Sequence, residues 1–185
     1  MPRKLPRFVA NVRELEALLL GLKELLCPKC QKVGTLNRHS RCLGSDLSAQ
    51  GESVRGRRAF CSNRGKRPGC GRSFSIFLAS VLPRHTITAP LFWKLLLQWL
   101  SGSTIWASHK ALAVPFGRDG AYALLRRLRR RLDGLRSWLC RLIYPPSSTQ
   151  TDPLLQTVEH FRAAFSKSAC CLTEFQNHFQ APLMG

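Results

Sequence analysis

Cys27-Pro-Lys-Cys30 and, further along, Cys61-Ser-Asn-Arg-Gly-Lys-Arg-Pro-Gly-Cys70-Gly71-Arg72-Ser73-Phe74-Ser75 are the stretches on which the fold turns. Structural zinc takes four ligands in a tetrahedron, and thiolates suit it well. A CxxC turn supplies two sulfurs from one tight bend, and Gly69 and Gly71 let the backbone wrap the second pair. Cys27, Cys30, Cys61 and Cys70 are therefore the expected zinc ligands. Eight residues separate Cys61 from Cys70, so the second knuckle is expanded. His39 and Cys42 lie in the loop expected between the knuckles, and either could replace one ligand. From Cys27 to Arg72 the chain is rich in Gly, Ser and Arg, with eleven basic and two acidic residues, net +9. Such a stretch is too polar to build its own core, which is the reason to expect metal there. Cys140, Cys170 and Cys171 fall on expected helices and fit as small core residues.

Outward from the cysteines, the chain falls into four stretches, 1–26, 27–80, 81–144 and 145–185. Phe8, Val12, Leu15, Leu19, Leu22 and Leu26 step by four and three, one face of an N-terminal helix. Thr88 and Pro90 open a second helix to Leu100. Ser101-Gly102-Ser103 is a turn, Thr104–Leu112 a short helix, and Val114–Gly117, with Pro115, a break. A long helix is then expected from Arg118 to about Ile143. That outline matches a tri-helical helix-turn-helix, whose third helix would carry Arg118, Tyr122 and Arg126 on one face and Arg129 and Arg130 beyond them. Ala121, Leu125, Leu128, Leu132, Leu135, Leu139 and Leu142 repeat by four and three along it. This stripe could form a homodimeric coiled-coil seam or pack against the N-terminal helix, and the second is favoured. Trp93, Trp99, Trp106 and Trp138 lie on or near apolar faces and are expected in the core. Pro145-Pro146-Ser147-Ser148-Thr149 reads as a linker, followed by a helical tail starting at Asp152-Pro153.

The 185 residues hold 29 Lys and Arg against 10 Asp and Glu, a formal charge of +19. So large an excess favours a polyanionic partner, nucleic acid first. The most apolar run, Leu91–Leu100, contains Lys94 and Gln98 and is too short for a spanning helix, which needs about 20 apolar residues. The N-terminus is basic and then apolar, but Glu14 and Glu16 interrupt it and no small-residue cleavage site follows, so a cytoplasmic location is expected. No Gly-rich phosphate loop and no His-x-His pair is present. Asp152, Glu159 and Glu174 follow the linker in too short a stretch for a catalytic sheet, and no enzyme activity is expected.

The order CPKC, then Arg57-Arg58-Ala59-Phe60-Cys61, then Gly69-Cys70-Gly71-Arg72-Ser73-Phe74-Ser75 resembles the N-terminal zinc ribbon of bacterial insertion-sequence transposases. The resemblance covers about residues 27–143 and departs in the expanded knuckle and the long loop after Cys30. It implies a zinc ribbon followed by a helix-turn-helix, with Phe74 packed under the ribbon and without the RNase H-type catalytic domain. The expected fold is mainly α with a small β zinc ribbon. The expected function is zinc-dependent binding of duplex DNA in the bacterial nucleoid, beside a transposase encoded separately. Contacts are expected from Arg55, Arg57, Arg58, Arg64, Lys66 and Arg67 of the ribbon and from the third helix. The alternatives are a zinc module for structured RNA or a protein partner, or a transposase remnant without a role.

Overall fold

Asn11 and Glu14 start the first helix later than the apolar steps from Phe8 imply. In the computed structural model, which describes residues 3–45, 52–65, 68–112 and 116–184, α1 spans Val12–Leu20. Asn11 Oδ1 accepts from the Glu14 amide at 2.9 Å, and Glu14 Oε2 accepts from the Ala10 amide at 2.9 Å. These reciprocal caps satisfy donors that a helix start leaves unpaired. Upstream, Phe8–Val9 forms strand β1 instead of a helical turn. Gly21 ends the helix, and Leu22–Glu24 adds one 3-10 turn. Leu15, Leu19 and Leu22 are buried, as the stripe requires, while Val12 is 49% exposed and Phe8 is buried from β1, opposite Phe77.

The cysteine-bearing stretch holds more regular structure than a small ribbon. Strands β2 (Leu36–Ser45), β3 (Glu52–Cys61) and β4 (Ser73–Leu78) join β1 in one sheet of order β1-β4-β3-β2. β1 runs parallel to β4, and the other pairs are antiparallel. The loop expected after Cys30 is therefore largely strand, and His39 and Cys42 lie on β2. With seven α-helices and this four-stranded sheet among the described residues, the fold is mixed α/β. Leu36, Ala59, Cys61 and Ile76 of the sheet's inner face bury against Leu5, Val9, Leu15, Leu19, Leu22 and Cys27. Phe74 packs at the edge of this cluster. Arg38 Nε donates to the Leu19 carbonyl at 3.1 Å, satisfying an acceptor at the end of α1.

The chain divides into two units, residues 1–79 and 80–185. The second is helical: α2 (Ala89–Leu100), α3 (Ile105–Ala111), α4 (Arg118–Arg129), α5 (Leu132–Leu139), α6 (Pro153–Ala164) and α7 (Cys171–Phe179). Thr88, Thr104 and Asp152 cap α2, α3 and α6 through their side-chain oxygens. The single long helix expected to Ile143 is two, broken at Arg130–Arg131. Leu125, Leu128, Leu135 and Leu139 of its stripe are buried in the unit's own core with Phe92, Leu95 and Leu96 of α2. Leu15, Leu19 and Leu22 of the N-terminal segment bury in the cluster of residues 1–79, and Leu142 at the end of the stripe is 37% exposed. The expected tail is part of the same core: Leu154, Val158 and Phe161 of α6 and Phe165 just after it line up there with Leu172 and Phe175 of α7. Fully burying a side chain such as Phe175 contributes about 1.5–3 kcal/mol. Gln176, wholly buried, donates from Nε2 to the Val81 carbonyl at 2.9 Å and accepts at Oε1 from the Leu183 amide at 3.1 Å. It thereby ties the first and last segments of the unit. Two expected core residues lie elsewhere: Trp106 is 49% exposed, and Cys140 is exposed.

Candidate metal centre

Cys27 follows a parallel bridge between Lys4 and Leu26, so the first knuckle starts from a fixed backbone. The Gln31 amide donates to the Cys27 carbonyl at 3.0 Å and closes the turn that brings Cys30 round. Cys61 is the last residue of β3, where the ladder sets its direction. The expanded knuckle then folds back on itself. The Gly69 amide donates to Ser62 O at 3.0 Å, and the Gly71 amide to Cys61 O at 2.9 Å. A Cβ at Gly69 would stand 2.1 Å from Ser62 O and 2.8 Å from Cys61 Sγ, and Gly71 has φ +69. Both glycines are therefore required by the turn itself.

The outcome is four sulfurs, Cys27, Cys30, Cys61 and Cys70, all within 4.8 Å of one another. Cys27–Cys70 and Cys30–Cys61 are each 3.7 Å apart. Four thiolates about 2.3 Å from a central zinc would stand about 3.8 Å apart, so these edges fit a tetrahedral metal site. The four expected ligands are thus brought together in a position to bind a metal ion. His39 and Cys42 are not part of the cluster: Cys42 pairs with Gly56 in the β2–β3 ladder, and the His39 ring lies 6.0 Å from that of Phe60.

Hydrogen bonds surround the sulfurs. The Cys70 amide donates to Cys61 Sγ at 3.2 Å, and Thr35 Oγ1 lies 3.2 Å from the same sulfur. Burial pushes the Cys27 thiol from 9.0 up to about 12, against the pull of the Cys30 and Lys29 backbone amides. A divalent cation among the sulfurs reverses that preference, because it stabilises the thiolate directly. Thr35 has no signal in the sequence. It reaches Cys61 because β2 starts beside it and pairs Leu36 with Cys61.

The expected DNA contacts divide by unit. Arg58 and Arg64 are exposed, and Arg55 and Arg57 half-buried. Lys66 and Arg67 lie outside the described residues, as do Val114 and Pro115 of the expected break at Val114–Gly117. Arg118 opens α4, Tyr122 on it is 38% exposed, and Arg126 and Arg130 are exposed. Arg129 is already engaged: it pairs with Asp152 and stands 5.7 Å over the Trp99 ring. Asp152 also accepts from the Leu154 amide at 2.8 Å as the cap of α6. Among the described residues no helix is long and apolar enough to cross a membrane. Comparison with protein-family models, curated proteins and solved structures gives no match for this chain.

Proposed function

We propose that the chain holds one zinc ion on Cys27, Cys30, Cys61 and Cys70 and binds duplex DNA, without a catalytic centre of its own. The observation that carries the metal half is the cluster of four thiols with zinc-like spacing. Four thiolates with no carboxylate among them favour zinc over hard cations such as calcium or magnesium. The DNA half rests on the charge of +19 and on arginines left exposed in both units. On α4, Tyr122 and Arg126 are spaced to read base edges, with Arg118 one turn before them, whereas Arg130 suits phosphate. The likeness of the cysteine stretch to transposase ribbons supports a role at the ends of a mobile element, beside a separately encoded transposase.

Metal analysis should return one zinc per chain, and Cys→Ser at any of the four positions should lower it while Cys42→Ser does not. Duplex DNA should compete off a structured RNA at equal salt. Arg126→Ala should relax specificity at one base position, since a bidentate contact discriminates by about 1–3 kcal/mol. Arg130→Ala should weaken all sequences alike and reduce the salt slope by about one. Equal, salt-dependent losses from both substitutions would leave α4 an electrostatic surface and nothing more. Reproducible strand cleavage in magnesium, lost in Asp152→Ala, would overturn the non-catalytic reading.

A further inference from the structure

The sheet of residues 1–79 has two faces, and α1 with the metal knuckles covers one of them. Along β3 the buried Ala59 and Cys61 alternate with exposed Arg58 and half-buried Phe60, which therefore belong to the other face. Their partners on β4 are small: Ser75 stands opposite Arg58, and Ser73 opposite Phe60. The β2–β3 register shifts between Arg38 and Arg41, and the His39 ring comes within 6.0 Å of the Phe60 ring at that irregularity. Phe77, the next residue of β4 on the same face, is half-buried between Gly56 and the buried Phe8 of β1, whose ring lies 6.3 Å away, so the accessible part of the face is the end at Arg58 and Phe60. This outer face thus carries an aromatic ring flanked by serines too short to cover it and by an arginine. Arg58 makes no ion pair among the described residues, whereas Arg57, opposite Ile76, and its β2 partner Arg41 belong to the covered face. The stretch that builds most of the sheet has eleven basic residues to two acidic ones, a charge that suits a polyanion.

A half-exposed aromatic ring beside an exposed arginine has one use toward DNA that a groove-binding helix lacks. Bases inside a duplex hide their π faces in the stack and show only edges, whereas an unpaired base can lay its face on a ring. Resting on the DNA-binding reading above, we propose that the outer face of this sheet is a stacking platform for an unpaired nucleotide of DNA. Phe60 takes the base and Arg58 the adjoining phosphate. Ser73 and Ser75 leave the space that the base fills, and the site prefers frayed or overhanging DNA ends to continuous duplex.

The test uses the full zinc-loaded chain and two DNAs, a blunt duplex and the same duplex with an overhang of about four nucleotides. The overhang should bind about tenfold tighter, the size expected for stacking one base on an aromatic side chain. A fluorescent adenine analogue in the overhang should be quenched on binding. Phe60→Leu should abolish the preference and the quenching while zinc content and blunt-duplex affinity stay as in the parent. Phe60→Trp should keep the preference, with its own emission quenched by the overhang. Ser73→Glu, at an exposed position outside the core, should lower overhang affinity by charge and crowding. Equal affinity of the parent chain for the two DNAs, or a preference that survives Phe60→Leu, would overturn the proposal and leave duplex binding standing. Failure of the parent to bind either DNA would remove the DNA reading itself, and this platform with it.

Discussion

Thr35 and Gly69 pack against the sulfurs of the four-cysteine cluster without contributing one. The Thr35 hydroxyl lies 3.2 Å from Cys61 Sγ, and its carbonyl accepts from the Ser62 amide at 2.8 Å, so one residue braces both sides of a ligand. Groups that orient ligands in this way cost about 10–100-fold in metal affinity when removed. Thr35→Val should show a loss in that range by chelator competition, with the helical unit unaffected. Gly69→Ala should lose at least as much, because its Cβ has no room beside Ser62 O. The four clustered cysteines were legible in the sequence because CxxC and Gly-Cys-Gly spacing is local. Thr35 was not, because its closeness to Cys61 depends on the pairing of two strands. The same pairing took His39 and Cys42 out of contention, by making strand of a segment whose Gly, Ser and Arg content reads as loop.

α4 and α5 show where periodicity informs and where it stops. Steps of four and three located the buried stripe of Leu125, Leu128, Leu135 and Leu139 correctly, yet they carry no mark of the bend between Arg129 and Leu132. Five arginines between 126 and 131 repel one another along a continuous helix, and Gly134 and Asp133 are weak helix formers just beyond. Bending lets both halves of the stripe reach one core. Asp133 then sits in the first turn of α5, where the helix dipole favours an acid. Gly134 is exposed, and a Cβ there would meet nothing within 4 Å. Gly134→Ala should therefore stabilise the helical unit by about 0.5–1 kcal/mol, read from denaturant unfolding. A destabilised variant would mean that glycine is needed for the bend. At the N-terminus the error ran the other way: a helical stripe was extended back to Phe8, although the cap at Asn11 with Glu14 three residues on was written in the sequence.

Across the whole chain, the two units have separate cores and different sources of stability. Residues 1–79 bury Cys27 and Cys61 inside their apolar cluster, so a metal on those sulfurs contributes directly to folding. Residues 80–185 rest on Phe92, Phe161, Phe175 and the leucines around them. Chelation should abolish the sheet signal and leave helical circular dichroism largely intact. Phe175→Ala should do the reverse, costing about 3–5 kcal/mol in the helical unit without releasing metal. A single loss of all structure on chelation would show that the units do not melt apart. The helical unit also has a history imposed by direction of synthesis. Val81 leaves the ribosome early, but its carbonyl finds Gln176 only after α7 has emerged. Until then α2 has no α7 on which to seat the apolar face that holds Phe92, Leu95 and Leu96. The nascent chain thus carries sticky surface for most of the time the unit is being made, which exposes it to aggregation and to chaperones. One glutamine on α7 closes that interval.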